Sequence, residues 1–374
     1  MPFRRKFLDR NQRFGYNLHA FSSNIAGGTL SHERQAMLIR KQAFARAGLI
    51  GNPSDGYFGK TISIIIRNFS AEVELSDSPE LRIIPGPRDD PRSYAGLDEL
   101  VSDIELNGYY GGVRLVKAII KRFAQFCRDN AIELEPKNFS ISYDTNVPCR
   151  VGLAGSSAIV TATIRALKEF YGVAIPREVQ PSIVLSAERD ELDIGAGLQD
   201  RVIQTYEGMV FMDFSKEIMD AKGTGEYEAL DPALLPPLFV AYDAGLSEGS
   251  EVFHNNIRER FERGEEKVVS AMRTFAEITD AARGALLGGQ PEKIGPLMSE
   301  NFDLRRSLFR LSDRNIRMVE IARQAGAHAK FAGSGGAAIG TYASEKMFQK
   351  LAQAYREAGF ETFKPLVSDA TGKE

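Results

Sequence analysis

Residues 147–158 read VPCRVGLAGSSA. Before them, Phe139, Ile141 and Tyr143 alternate with Ser140, Ser142 and Asp144, the pattern of a half-buried strand. After them, a helical stretch runs from Ser156 to Tyr171 and meets Gly172, a natural stop. A glycine-bearing loop between a strand and a helix suits an anion. Gly152 and Gly155 let the backbone come close to a ligand. Ser156 and Ser157 stand at the helix N-terminus, where free N–H groups and the positive dipole end favour phosphate. Their hydroxyls are able to cap the helix, touch phosphate or reach Mg²⁺. Serine is also an ordinary N-cap. A nucleophile elbow is excluded, because G-x-S-x-G would need glycine where Ile159 stands.

A second glycine stretch, GNPSDGYFGKT at 51–61, imitates a P-loop. The pattern G-x-x-x-x-G-K-[ST] fails, since Ser54 occupies the position of its first glycine. Gly59-Lys60-Thr61 reads as a turn ahead of a strand starting near Ile62. A third, GSGG at 333–336, is no dinucleotide fingerprint, because Ala338 stands where the last glycine belongs.

Around these loops the chain of 374 residues is long enough for two domains, with 43% hydrophobic and 26% charged residues. A formal charge of −3 argues for neither nucleic acid nor membrane as a partner. No apolar run approaches the ~20 residues of a membrane span. Two cysteines, Cys127 and Cys149, make no disulfide framework and point to a reducing compartment, the cytoplasm. The four histidines are scattered without metal-ligand spacing, so any metal is expected to be Mg²⁺ on carboxylate, hydroxyl and phosphate oxygens.

Periodicity predicts short strands at 43–50, 62–67, 71–75 and 81–84, then a helix over 110–130 after a polar stretch at 87–93. Helices at 181–189 and 198–206 and a strand at 208–213 follow. A weakly patterned link at 221–227 reads as a domain boundary. Beyond it come a strand at 238–242, helical segments over 252–287, a helix at 315–324 and a strand–loop–strand at 330–342. Strands and helices mixed in this order predict α+β.

The loop P-x-x-x-G-L-x-[GS]-S-S-A resembles the second motif of the GHMP kinases, which phosphorylate small molecules from ATP. Pro148, Gly152, Leu153, Gly155, Ser156, Ser157 and Ala158 carry the match. The segment from Arg46 to Asp55 (RAGLIGNPSD) resembles the family's first motif, and AKFAGSGGA at 329–337 its third. Further segments, among them NGYYGGVRL at 107–115, VLSAERDELDIGAGLQDRV at 184–202 and NFDLRR at 301–306, resemble the glucuronokinase branch, over about residues 43–360.

This resemblance implies a two-domain fold, ribosomal protein S5 domain 2-like at the N-terminal side and ferredoxin-like at the C-terminal side. It divides the chain into 1–40, an extension that is disordered or loosely docked, then 41–222, the domain with the ATP-binding loop, and 223–374. It implies a kinase that takes ATP and Mg²⁺ and phosphorylates D-glucuronate or a related sugar at its anomeric hydroxyl. The alternatives are a kinase for a galactose-, heptose- or fucose-type sugar, or a non-catalytic ATP- and sugar-binding sensor.

By the same resemblance, Gly152, Leu153, Ala154, Gly155, Ser156, Ser157 and Ala158 hold the phosphates. Asp200, in GAGLQD at 195–200, orients or deprotonates the acceptor hydroxyl. Ser157 and Glu188 are the Mg²⁺ oxygens, with Glu191 and Asp193 as competitors. In the first motif Asn52 and Pro53 replace the usual acidic and histidine residues, so only Asp55 carries over as a substrate contact; the alternative is a turn aspartate. An acidic sugar needs a cation, and a guanidinium fork suits a carboxylate. Arg201 is the first choice, with Arg114, Arg305 and Arg306 as alternatives. Gly333, Ser334, Gly335 and Gly336 shape the site.

Overall fold

The computed structural model describes residues 37–86, 111–245 and 255–367. The expectations for the first 36 residues, for 87–93 and for 107–110 lie outside these. The first sheet has six strands. They are β1 (Leu38–Ile50), β2 (Lys60–Ser78), β3 (Arg82–Ile84), β4 (Asn138–Thr145), β5 (Met209–Asp213) and β6 (Glu226–Leu230). The order is β3-β4-β2-β5-β6, with β1 also on β2.

The two strands expected at 62–67 and 71–75 are one 19-residue strand, β2. Its first part pairs with β5 and its second with β4, while β1 follows both. Asn68 and Ser70 read as breakers in sequence. Here they sit at a bulge, where Phe44 faces Ser70 and Ala45 faces Ile66, so the strand bends without ending.

Helices α1 (Gly112–Asp129), α2 (Gly155–Tyr171) and α3 (Gln180–Leu192) contribute to a core with β4 and part of β2, through Phe123, Phe170, Val184, Phe139 and Leu75. Then come α4 (Gln199–Tyr206) and α5 (Lys216–Lys222). The expected domain division after residue 222 falls inside this first sheet, since β6 pairs with β5 along its length. β6 is an edge strand with only Leu230 fully buried, so it lacks the apolar alternation that marks a strand in sequence.

The second sheet contains β7 (Leu238–Tyr242), β8 (His328–Phe331), β9 (Ala337–Thr341) and β10 (Glu361–Phe363). Its order, β10-β7-β9-β8, is wholly antiparallel. Between β7 and β8 lie α6 (Asn255–Glu262), α7 (Glu266–Leu287), α8 (Ile294–Leu308) and α9 (Asp313–Gln324), and α10 (Glu345–Glu357) precedes β10. Collapsing the helices of the first crossover to one gives β-α-β-β-α-β, the ferredoxin-like arrangement. One apolar cluster joins the halves, with Ile50, Ile62 and Ile64 against Val240, Ile339, Leu286 and Met298. That shared core brings the end of β1 beside the loop between β8 and β9.

Candidate active site

The phosphate-type loop leads from β4 into α2 and turns sharply. Arg150, Gly152 and Ala154 have φ of 58°, 72° and 63°. It packs backbone to backbone against the β8–β9 loop. A Cβ on Gly152 would lie 2.4 Å from the Gly335 carbonyl oxygen, and one on Gly333 would lie 2.3 Å from the Gly152 carbonyl oxygen. Two of the three glycine stretches therefore meet, and here glycine is a steric requirement.

Arg46 is the residue that sequence reasoning missed. It lies on β1 and is only 5% exposed. Its Nε and Nη2 donate to the two carboxylate oxygens of Asp200 at 2.5 and 2.8 Å. Its Nη1 donates to the carbonyls of Gly152 (2.6 Å) and Ala332 (3.1 Å). A single guanidinium thus fixes the carboxylate and ties both loops together. The available signal was an arginine inside an otherwise apolar strand, since so buried a cation requires a partner.

Of the expected metal pair, Glu188 meets Ser156 rather than Ser157. Ser157 is fully buried, and its Oγ donates back to the Ala154 carbonyl at 3.2 Å. Ser156, one residue earlier on the first turn of α2, borders the cavity and donates to Glu188 Oε1 at 2.8 Å. A residue on a helix advances the phase by 100°, so neighbouring serines face different surroundings. Of the competing acids, Glu191 pairs with Lys121 and Arg122 on the surface, and Asp193 is the exposed left-handed cap of α3. Neither borders the cavity.

Arg201, expected to meet the acceptor's carboxylate, makes its contacts within the protein. Its Nε and Nη2 donate to Glu188 Oε2 at 2.8 and 2.5 Å, and its Nη1 donates to the Gly197 carbonyl at 3.0 Å. Both groups are buried, at 4% and 0% side-chain exposure. Its fork is committed to Glu188, and its Nη1 also lies 3.3 Å from Asp200 Oδ2, so its charge is already shared between two carboxylates of the protein. It holds Glu188 and the glycine loop before α4 in place.

Asp55 lies on the short 3₁₀ turn Ser54–Tyr57 and borders the same cavity as Asp200. The Gln199 amide N–H donates to its Oδ2 at 3.3 Å. Burial and, less strongly, the Asp200 charge, opposed by the Gln199 N–H, Arg46 and Arg201, bring the carboxyl up to about 6. The folded value therefore lies above the unfolded one. The resulting penalty is absent below the unfolded pKa of 3.8 and complete above about 6. Asp55→Asn is thus expected to raise stability by roughly 2 kcal/mol near pH 8 and to have little effect near pH 4. Thermal melts at the two pH values check this, and an equal shift at both would refute it.

The turn at 51–53 is anchored from α8. The Gly51 N–H donates to Asn301 Oδ1 at 2.7 Å, and Asn301 Nδ2 donates to the Asn52 carbonyl at 3.2 Å. Arg305, also on α8, donates to the carbonyls of Gly333 and Ser334, both at 2.8 Å. Lys330, fully buried, donates to the Gly48 carbonyl at 2.7 Å and to Asn52 Oδ1. Burial and the charges of Arg305 and Arg46 hold its amine well below the usual range. Asn52, where an acid is usual, is thus a neutral partner for a buried lysine. Arg114 and Arg306 do not border the cavity. Gly59-Lys60-Thr61 holds no phosphate-type loop: Lys60 opens β2 and donates to Asp280 at 2.8 Å.

These groups surround a cavity of about 310 Å³. It opens on Asp200, Asp55, Ser156 and the two glycine loops. Among the described residues no group of three or more His, Cys, Asp or Glu forms a metal cluster. A Mg²⁺ carried with nucleotide phosphates needs only one or two protein oxygens. Ser156 Oγ borders the cavity and fits that demand, while Glu188 stands fully buried behind it and accepts its hydrogen bond.

Comparison with known proteins agrees with this geometry. The family described as GHMP kinases N terminal domain matches residues 114–208, and GHMP kinases C terminal matches 282–360. Glucuronokinase 1 of Arabidopsis thaliana is 46% identical over 346 residues, 90% of this chain and 94% of that protein. Probable glucuronokinase 2 of the same plant is 49% identical over 308 residues, 81% of this chain and 84% of that protein. The crystal structure of Lactococcus lactis galactokinase complexed with galactose superposes with a TM-score of 0.69 at 15% identity, covering 89% of this chain and 94% of that one. A fold in two sheets, a phosphate-type loop at a helix N-terminus, a clamped carboxylate beside it and relatives this similar over nearly their whole length lead to one conclusion: the chain belongs to the GHMP kinase family and is a sugar kinase of it.

Proposed function

We propose that this chain transfers the γ-phosphoryl group of ATP to the anomeric hydroxyl of D-glucuronate, giving D-glucuronate 1-phosphate and ADP, a product that feeds UDP-glucuronate synthesis. The observation that carries the reading is the Arg46-clamped Asp200, set on a cavity beside the N-terminus of α2. The identity of 46% to a named glucuronokinase supports the choice of acceptor.

Phosphoryl transfer requires positioning and charge neutralisation more than covalent chemistry. The N–H groups of residues 152–158 receive the phosphates at the positive end of α2. Asp200 takes the proton of the anomeric hydroxyl as its oxygen bonds to the γ-phosphorus, while the bond to the β-phosphate oxygen breaks and ADP leaves. Arg46 keeps that carboxylate aimed. Ser156, backed by Glu188, would hold a Mg²⁺ ion, which would neutralise phosphate charge. Asp55 meets acceptor hydroxyls. Cys127 and Cys149 form no disulfide, which suits a reducing compartment, the cytoplasm.

Incubation with ATP, Mg²⁺ and a panel of sugars and uronic acids, followed by ADP release, tests this. Turnover with glucuronate well above that with galactose or heptoses is expected. Turnover confined to a neutral sugar would overturn the acceptor. Nucleotide binding without turnover on any sugar would replace the kinase by a sensor.

A further inference from the structure

An acidic acceptor brings a carboxylate into a cavity that already holds Asp55 and Asp200. A cation has to meet it, and the five arginines bordering the cavity differ in what they are already doing. Arg46 holds Asp200, Arg201 holds Glu188, and Arg305 holds two carbonyls of the β8–β9 loop. Arg150 stands within the phosphate-type loop itself, at a left-handed φ of 58°.

Arg258 is differently placed. It projects from α6 with its side chain 56% exposed, and its only ion pair among the described residues is a 4.0 Å approach to Glu262 one turn on. So long and exposed a pair holds the guanidinium weakly. The side chain lies over the acceptor turn. Its guanidinium is 5.8 Å from the centre of the Tyr57 ring, two residues past Asp55. Its Nη2 is 3.7 Å from where a Cβ on Gly56 would stand.

We propose that Arg258 holds the acceptor's carboxylate and so sets the preference for an acidic over a neutral sugar. This rests on the uronate reading above. Arg258 is the cavity-facing arginine whose donors are not spent on buried carboxylates or carbonyls, and the Tyr57 face supports its flat guanidinium from behind. The acceptor then spans from Asp55 hydroxyl contacts at one edge to Arg258 at its carboxylate.

The test compares glucuronate with glucuronamide, which replaces the carboxylate by a neutral amide of the same shape. The full-length protein, Arg258→Gln and Arg258→Lys are assayed with both; where the amide binds without turnover, its inhibition constant serves. Arg258→Gln is expected to raise KM for glucuronate roughly 10- to 100-fold, as for loss of a charged hydrogen bond. The KM for ATP should hold, affinity for glucuronamide should change less than threefold, and Arg258→Lys should recover part of the loss. An unchanged glucuronate-to-glucuronamide ratio in Arg258→Gln would overturn the assignment. A wild-type protein that ignores glucuronate would instead overturn the acceptor reading, and with it this one.

Discussion

Asp200→Asn is expected to lower kcat by roughly three orders of magnitude, the usual range for removing a positioned proton acceptor. The substitution keeps shape but removes charge. Asn presents one oxygen and one N–H₂ to the Arg46 fork, so a donor then faces a donor where Nη2 now meets Oδ2 at 2.8 Å. Arg46 is left as a buried cation with a neutral partner. Breaking such a pair costs about 3 kcal/mol or more. The Gly152 and Ala332 carbonyls still hold the guanidinium and limit the movement. The melting temperature should therefore fall by several degrees, with the protein still folded at 25 °C and still binding nucleotide. A kcat within tenfold of wild type, in a protein shown to be folded, would take Asp200 out of the proton's path.

Arg46→Lys separates the two jobs of this guanidinium. Lysine keeps the charge but has no planar fork with which to meet both Asp200 oxygens. Loss of activity with Asp200 intact is expected, larger than any loss of nucleotide affinity. Measured kcat and nucleotide Kd on this variant check it.

The parts legible in sequence were those set by local backbone demands. Gly152 and Gly172 both have left-handed φ, of 72° and 66°, and the helix between them is found one residue from where it was read. The parts not legible depend on what lies across the fold. Ser156 and Ser157 are equivalent letters at a helix start, and only the position of α3 decides which one meets Glu188. Arg201 looked like a spare cation because its partner, Glu188, is 13 residues away on another helix. Arg46 looked like a polar interruption in β1 because its acceptors come from residues 152, 200 and 332. Helices α8 and α10 were missed although α10 carries a helical stripe, Met347, Phe348, Leu351, Ala354 and Tyr355, against the core; on α8 two of the buried positions are the polar Asn301 and Arg305, whose partners lie across the fold.

Gly152→Ala is expected to cost more stability than Gly172→Ala or Gly195→Ala, about 2–5 kcal/mol. One part is conformational, since a Cβ at a φ of 72° costs about 1–2 kcal/mol. The rest is steric, because the new Cβ would lie 2.4 Å from the Gly335 carbonyl oxygen, a backbone atom with no rotamer to change. Overpacking of this kind costs about 1–3 kcal/mol. Two controls divide these terms. Gly172→Ala meets the same left-handed demand with nothing within 4 Å, so it reports the conformational part alone. Gly195→Ala carries neither, and should stay within about 0.5 kcal/mol of wild type. The excess of Gly152 over Gly172 then measures how tightly the two loops press together. Relief of the clash pushes the β8–β9 loop away from the phosphate-type loop. That shifts the Gly152 carbonyl from Arg46 Nη1, now at 2.6 Å, so the clamp on Asp200 loosens as well. Activity at a temperature where the variant is still folded should therefore fall by more than the fraction unfolded. If chemical denaturation gives Gly152→Ala and Gly172→Ala the same cost, and both stay fully active when folded, the loops do not bear on each other and Arg46 holds Asp200 without their help.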